Sequence, residues 1–246
     1  MKNSWPFLLL LALALGCGGN DSNTTVSSGS TATTTSSSPA TPSKPAAKDI
    51  SGSYEVSGTN ESGGGAYNGT LNVKSRGDVY QFSWTSGTNT YDGVGVQTGN
   101  NVAVAFTEGA DGKGCGVVLY SIGADGTLDG KAGYWGNNSS ESETATRTSG
   151  TGLEGDYSVK GKNTQGQEYT GTLGVKKSGT GYAFNWKVGS SPLTGFGIQQ
   201  GETVAVGIGG SKCGFVGYEV ESDGTLDGKW GSVGSTSVGT ETATKK

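Results

Sequence analysis

The stretch "GVGVQTGNNVAVAF" at residues 93–106 decides how this chain is read, because it returns at 195–208 as "GFGIQQGETVAVGI". Each copy carries two short apolar runs around a glycine-containing turn, the pattern of two strands joined by a hairpin. The correspondence continues outward in both directions. "VYQFSW" at 79 answers "GYAFNW" at 181, "YNGTLNVK" at 67 answers "YTGTLGVK" at 169, and "GSYEVSGTN" at 52 answers "GDYSVKGKN" at 155. Towards the C-terminus "CGVVLY" at 115 answers "CGFVGY" at 213, and "DGTLDGK" occurs unchanged at 125 and 223. From Ile50 onward the chain is therefore a duplication, with repeats at 50–148 and 153–246. The extra residues of the first copy fall in "TEGADGKG", which marks an exposed loop.

Composition agrees with an all-β fold. Among 246 residues there are 47 glycines, 15% charged residues and no histidine. The first repeat divides into eight segments of period-two alternation near 52–57, 67–74, 79–85, 91–97, 101–107, 114–122, 126–135 and 141–147. An even number of consecutive antiparallel strands can close on itself and remove its edges. The expected fold is two tandem eight-stranded up-and-down β-barrels, similar in architecture to avidin and lipocalin-like barrels.

Alternation then assigns faces. Tyr80, Phe82 and Trp84 point inward, as do Tyr182, Phe184 and Trp186, and these six are the candidate lining of a ligand cavity. The same rule sends Leu71, Val73, Val94, Val96, Val102, Val104, Phe106, Val118, Tyr120 and Ile122 inward. Outward on the fourth to sixth strands it leaves Gly93, Gly95, Ala103, Ala105, Cys115, Val117 and Leu119, with Gly195, Gly197, Ala205, Gly207, Cys213 and Phe215 as counterparts. A wall so small and apolar is not a solvent face, so the barrels are expected to pack side by side there about a pseudo-twofold axis. Cys115 and Cys213, equivalent on that wall, are candidates for an inter-barrel disulfide.

The N-terminus gives an address. "MKNSWPFLLLLALALGCGGN" has a lysine, an apolar run too short to span a bilayer, and then Cys17. "ALGC" at 14–17 resembles a bacterial lipobox, which implies a signal peptide at 1–16, lipidation of Cys17 and a membrane partner through that lipid. Glycine rather than aspartate after the cysteine implies, by the bacterial sorting rule, the outer membrane of the cell envelope. Residues 17–49 are serine-, threonine- and proline-rich and are expected to form a disordered tether.

Little catalytic chemistry is on offer. Without histidine, a cysteine or serine nucleophile lacks its usual base, and no metal-ligand spacing or cofactor motif is present. The net charge of −4 without a basic cluster gives nucleic acid no hold. The carboxylate pairs Asp125 with Asp129 and Glu141 with Glu143 remain, but Asp-Gly is the expected pair for a tight turn. Polar residues shared by both copies are few: Asn60 with Asn163, Tyr67 with Tyr169, Gln97 with Gln199, and Glu143 with Glu241. The pattern "G-x-Y-x-V-x-G-x-N", "Y-x-G-T-L", "F-x-W", "C-G-x-x-x-Y" and "D-G-T-L-D-G-K-W" is similar to a unit of uncharacterised bacterial envelope proteins, some labelled fibronectin-binding. The second copy completes it at Trp230, where the first has Ala132. Three functions follow in order: a non-catalytic binding or scaffold module with a protein or small-molecule partner, a carrier of a small apolar ligand, and a carboxylate-based glycan hydrolase.

Overall fold

The structure, a computed structural model, describes residues 47–109, 112–233, 235 and 237–246. The signal peptide, Cys17 and nearly all of the tether lie outside the described residues. The first repeat supplies strands β1 (Gly52–Thr59), β2 (Ala66–Arg76), β3 (Val79–Ser86), β4 (Asn89–Thr98), β5 (Asn101–Glu108), β6 (Gly116–Ile122), β7 (Leu128–Tyr134) and β8 (Glu141–Thr151). The second supplies β9 (Glu154–Lys162), β10 (Glu168–Ser178), β11 (Gly181–Val188), β12 (Ser191–Gln200), β13 (Thr203–Ile208), β14 (Gly214–Val220), β15 (Leu226–Ser232) and β16 (Gly239–Lys245). All eight segments expected per copy are strands.

These strands form two closed, eight-stranded antiparallel barrels, but the barrels are out of frame with the repeats. The strands β6 to β13 run consecutively around one barrel, here barrel B, and β13 pairs with β6 to close it. Barrel A is split: β1 to β5 come before barrel B in the chain, β14 to β16 come after it, and β5 pairs with β14. The expectation of one barrel per repeat, at 50–148 and 153–246, is corrected accordingly. Its physical origin is the duplication itself. Phe106 pairs with Gly214 on β14, and its counterpart Ile208 pairs with Gly116 on β6 in the same register. Because β6 and β14 present equivalent residues, strand pairing alone does not distinguish closure within a repeat from closure across repeats.

The two passages between barrels lie side by side. Cys115 immediately precedes β6 and Cys213 immediately precedes β14, and the two form a disulfide with their alpha carbons 5.9 Å apart. Beside them Gly209 has φ of +140°, and a β-carbon there would stand 2.5 Å from the Cys213 sulfur and 2.9 Å from the Gly114 carbonyl oxygen. Glycine is required at this crossing for both reasons.

The expected wall is the inter-barrel interface. Ala103, Ala105, Cys115, Val117, Leu119, Ala205 and Cys213 form one buried cluster, and Phe215 joins Phe196 and Ile198 in a second. Gly207 sits with its β-carbon position 3.9 Å from Ala105. Such small residues let the two walls approach closely.

One face assignment is reversed. On β4, Val94 and Val96 belong to the interface cluster, while a β-carbon on Gly95 would lie 2.5 Å from the Phe82 ring inside barrel A. Gly93 also points inward, towards Val104 and Phe106. On β12 likewise, Gly195 and Gly197 face Val206 inside barrel B, and Phe196 and Ile198 face out. The rings of Phe82 and Trp186 fill the interior beside these strands, so glycine is what fits inward and the branched residues cover the interface. Elsewhere alternation holds: Leu71, Val73, Val102 and Val104 are in the core of barrel A. Val118 and Tyr120 are interior too, but in the core of barrel B.

Replacing both Cys115 and Cys213 by serine should lower stability by about 2–4 kcal/mol, since the bond closes a loop of roughly a hundred residues. In thermal unfolding this reads as a fall in midpoint of about 5–15 °C. Non-reducing peptide mapping of the wild type should recover the Cys115–Cys213 pair, and an unchanged midpoint in the double variant would contradict this role.

Candidate functional site

In each barrel a residue just before the first strand of a repeat is buried against the core. Ile50 is buried against the core of barrel A, its carbonyl accepting a hydrogen bond from Tyr54 at 2.7 Å. Leu153 and Tyr157 repeat the arrangement in barrel B at 2.8 Å.

Midway up each barrel a carboxylate is held by neutral donors from three other strands. In barrel A, Glu241 on β16 accepts from Trp84 Nε1–H at 2.9 Å, from Tyr67 hydroxyl at 2.8 Å and from Tyr218 hydroxyl. In barrel B, Glu143 on β8 accepts from Trp186 Nε1–H at 3.0 Å, from Tyr169 hydroxyl at 3.1 Å and from Tyr120 hydroxyl. Both carboxylates are buried, 6% and 8% exposed. Taking a carboxylate out of water is costly unless hydrogen bonds replace the lost hydration, and here three donors do so. Burial, and then the neighbouring carboxylate, pushes the phenols of Tyr67, Tyr169, Tyr120 and Tyr218 well above their ordinary range. They are therefore protonated donors at neutral pH.

Above the carboxylate the barrels diverge. In barrel A a cavity of about 420 Å³ reaches from the rim down to Glu241. Its walls are aromatic: Trp84 lies 5.5 Å from Phe106, Phe106 lies 6.1 Å from Tyr91 and 6.4 Å from Trp230, and Trp230 lies 6.3 Å from Tyr67. Trp230 is fixed by donating from Nε1 to the Thr59 carbonyl at 3.2 Å. The rim adds Asn60, Asn89, Glu108 and Lys212. At the equivalent places in barrel B, Leu193 stands for Tyr91, Ile208 for Phe106 and Ala132 for Trp230. Conversely, Tyr134 stands for Ser232, packed over Gly116 where barrel A packs Phe106 over Gly214. Glu141 stands for Gly239, and burial raises the pKa of its carboxyl.

Of the six aromatic residues expected to line a cavity, only Trp84 lines that of barrel A. Phe82 and Phe184 are completely buried and stack on Trp84 and Trp186 as filling. Tyr80 packs at the edge of core A, Tyr182 lies under the Lys177 ammonium at 4.2 Å, and Trp186 serves the Glu143 cluster. Alternation correctly turned these residues inward but could not show at which level the barrel stays hollow. Tyr91, Phe106 and Trp230 complete the mouth, and the sequence carried a signal for them: the repeats differ at all three, with Leu193, Ile208 and Ala132 in the other barrel.

The shared polar residues separate into two kinds. Tyr67, Tyr169, Glu143 and Glu241 build the clusters. By contrast, Gln97 and Gln199 cap their own turns through the carbonyls of Gly99 and Gly201, and Asn163 and Asn60 do the same for the β9–β10 and β1–β2 connections. The aspartates of "DGTLDGK" are turn and strand residues: Asp125 accepts from the Thr127 amide at 2.9 Å, and Asp129 from the Thr144 hydroxyl at 3.1 Å. Compared with protein-family models, curated proteins and solved structures, the chain matches none.

Replacing Glu143 by leucine removes the acceptor shared by three donors and should destabilise by about 3 kcal/mol or more, while Tyr120→Phe, which removes the bond given to Glu143 and the one accepted from Trp186 Nε1–H at 3.1 Å, should cost about 1–3 kcal/mol. Urea unfolding of the two variants checks the order.

Burial also pushes the phenols of Tyr54 and Tyr134 up to about 12. The unfolded chain releases these protons near pH 10, so the stabilisation is complete below about pH 10 and is lost as pH rises through 12. Denaturant midpoints at pH 8, 10, 11 and 12 should fall across that window, with tyrosinate absorbance appearing together with unfolding.

Proposed function

We propose that this protein is a lipid-anchored, non-catalytic binding protein of the bacterial envelope, in which barrel A takes a small ligand through its aromatic mouth and barrel B is a scaffold. The observation that carries the reading is the 420 Å³ cavity of barrel A, open at the rim and floored by Glu241. Its size falls within the range of about 300–1,000 Å³ typical of small-molecule sites, and its lining of aromatic walls with a few polar groups is the usual one. Of the functions anticipated from the sequence, ligand carriage is the one this geometry favours. The anchor rests on the lipobox-like "ALGC" and Cys17, followed by a long polar tether.

Titration with the neutral apolar probe N-phenyl-1-naphthylamine should quench tryptophan fluorescence saturably. Trp230→Ala should weaken binding by about tenfold, as expected for losing one large aromatic wall. Tyr182→Phe, far from the mouth of barrel A, should leave it unchanged. Equal binding by wild type and Trp230→Ala would sink the reading. Cys17→Ser should move the protein from the detergent phase to the aqueous phase on partitioning.

A further inference from the structure

Resting on the reading of barrel A as a small-ligand site, we propose that its ligand is an organic cation, an ammonium group on an apolar body. Glu241 is the reason. Glu241 is buried, 6% exposed, it lines the cavity floor, and its three hydrogen-bond donors are all neutral. Among the described residues, no lysine or arginine forms an ion pair with it. The carboxylate therefore lies at the bottom of a low-dielectric well whose other charged lining residues, Glu108 and Lys212, offset each other formally, so the lining as a whole is acidic and favours an entering cation, with Coulomb attraction stronger than in water.

The walls favour the same charge. Trp84, Tyr91 and Trp230 pack on Phe106 at centroid distances of 5.5, 6.1 and 6.4 Å, Tyr67 packs on Trp230 at 6.3 Å, and all five line the well. Aromatic faces attract cations, most strongly when the cation is desolvated, and a ring of them is how ammonium groups are selected from water. An anion meets the carboxylate and is repelled. A neutral apolar ligand gains the aromatic contacts but no Coulomb attraction to the carboxylate.

The comparison of the barrels separates the ligand role of Glu241 from its structural one. Glu143 is likewise held by one tryptophan and two tyrosines in barrel B, so the carboxylate cluster belongs to the fold of both. In barrel B the mouth above it carries Ala132, Leu193 and Ile208 in place of the aromatic residues, and adds Tyr134. Among the described residues, barrel A alone joins this carboxylate to an open cavity walled by Tyr91, Phe106 and Trp230.

Calorimetric titration of the full chain with 2-phenylethylamine, 2-phenylethanol, phenylacetate and methyl glucoside tests the inference. The amine should bind about tenfold or more tighter than the alcohol, and phenylacetate should not bind, as expected for a desolvated cation against a neutral near-isostere. Glu241→Gln should bring the amine down to the level of the alcohol and change the alcohol by less than about threefold. Should Glu241→Gln fail to fold by circular dichroism, Trp230→Ala decides, since barrel B already carries alanine there; it should weaken the amine more than the alcohol. Equal affinity for amine and alcohol, or tightest binding of the glucoside, overturns the cation assignment and leaves barrel A a binding site. Amine binding unaffected by either substitution overturns it as well. If none of the four binds, the small-ligand reading falls with it.

Discussion

The close approach of β5 to β13, alanine and glycine against alanine, is the constraint on which the rest of the molecule depends. Two barrels with ordinary polar walls would stand apart on a linker. Here Ala103 and Ala105 are completely buried against the other barrel, and the Cys115–Cys213 bond holds the two chain crossings together at the end of that contact. The crossings are where barrel B is inserted into barrel A. A chain that leaves β5 for β6 and returns from β13 to β14 must pass the same point twice, and the small residues, Gly209 and the disulfide all serve that passage.

Insertion has a consequence for the site. Barrel A draws Trp84 and Tyr67 from the first repeat and Glu241, Tyr218 and Trp230 from the second. The aromatic mouth is thus assembled from parts of the chain more than a hundred residues apart, and each repeat was free to change one half of it. The first repeat has Tyr91 and Phe106 on the strands it gives to barrel A, while its β7, given to barrel B, has Ala132 where β15 has Trp230. Differences between repeats that look scattered along the chain become two distinct mouths in space, one with Tyr91, Phe106 and Trp230, the other with Leu193, Ile208, Ala132 and Tyr134.

The carboxylate clusters show how a barrel of short strands tolerates a charge inside. Three donors from three strands converge on each glutamate, so the bond network crosses the barrel where side-chain packing alone would leave polar atoms unsatisfied. In barrel B, with Leu, Ile and Ala above it, the network is a strut. In barrel A the same strut forms the floor of an open well.

Strand number, closure and the inward turn of Phe82, Trp84, Phe184 and Trp186 were all legible in the sequence, because alternation against polar neighbours leaves one choice of face. So was the interface, from the smallness of Ala103, Ala105, Ala205 and Gly207. On β4 and β12 the same rule failed: Gly93, Val94, Gly95 and Val96 have no polar face, and only the packing of Phe82 against Gly95 decides which side is in. Nor could the sequence say which copy of the sixth strand closes which barrel. The duplication makes β6 and β14 equal partners for β5, and tertiary packing at the crossing chose between them. The position of the cavity was settled the same way, since it depends on which halves of the two repeats share a barrel.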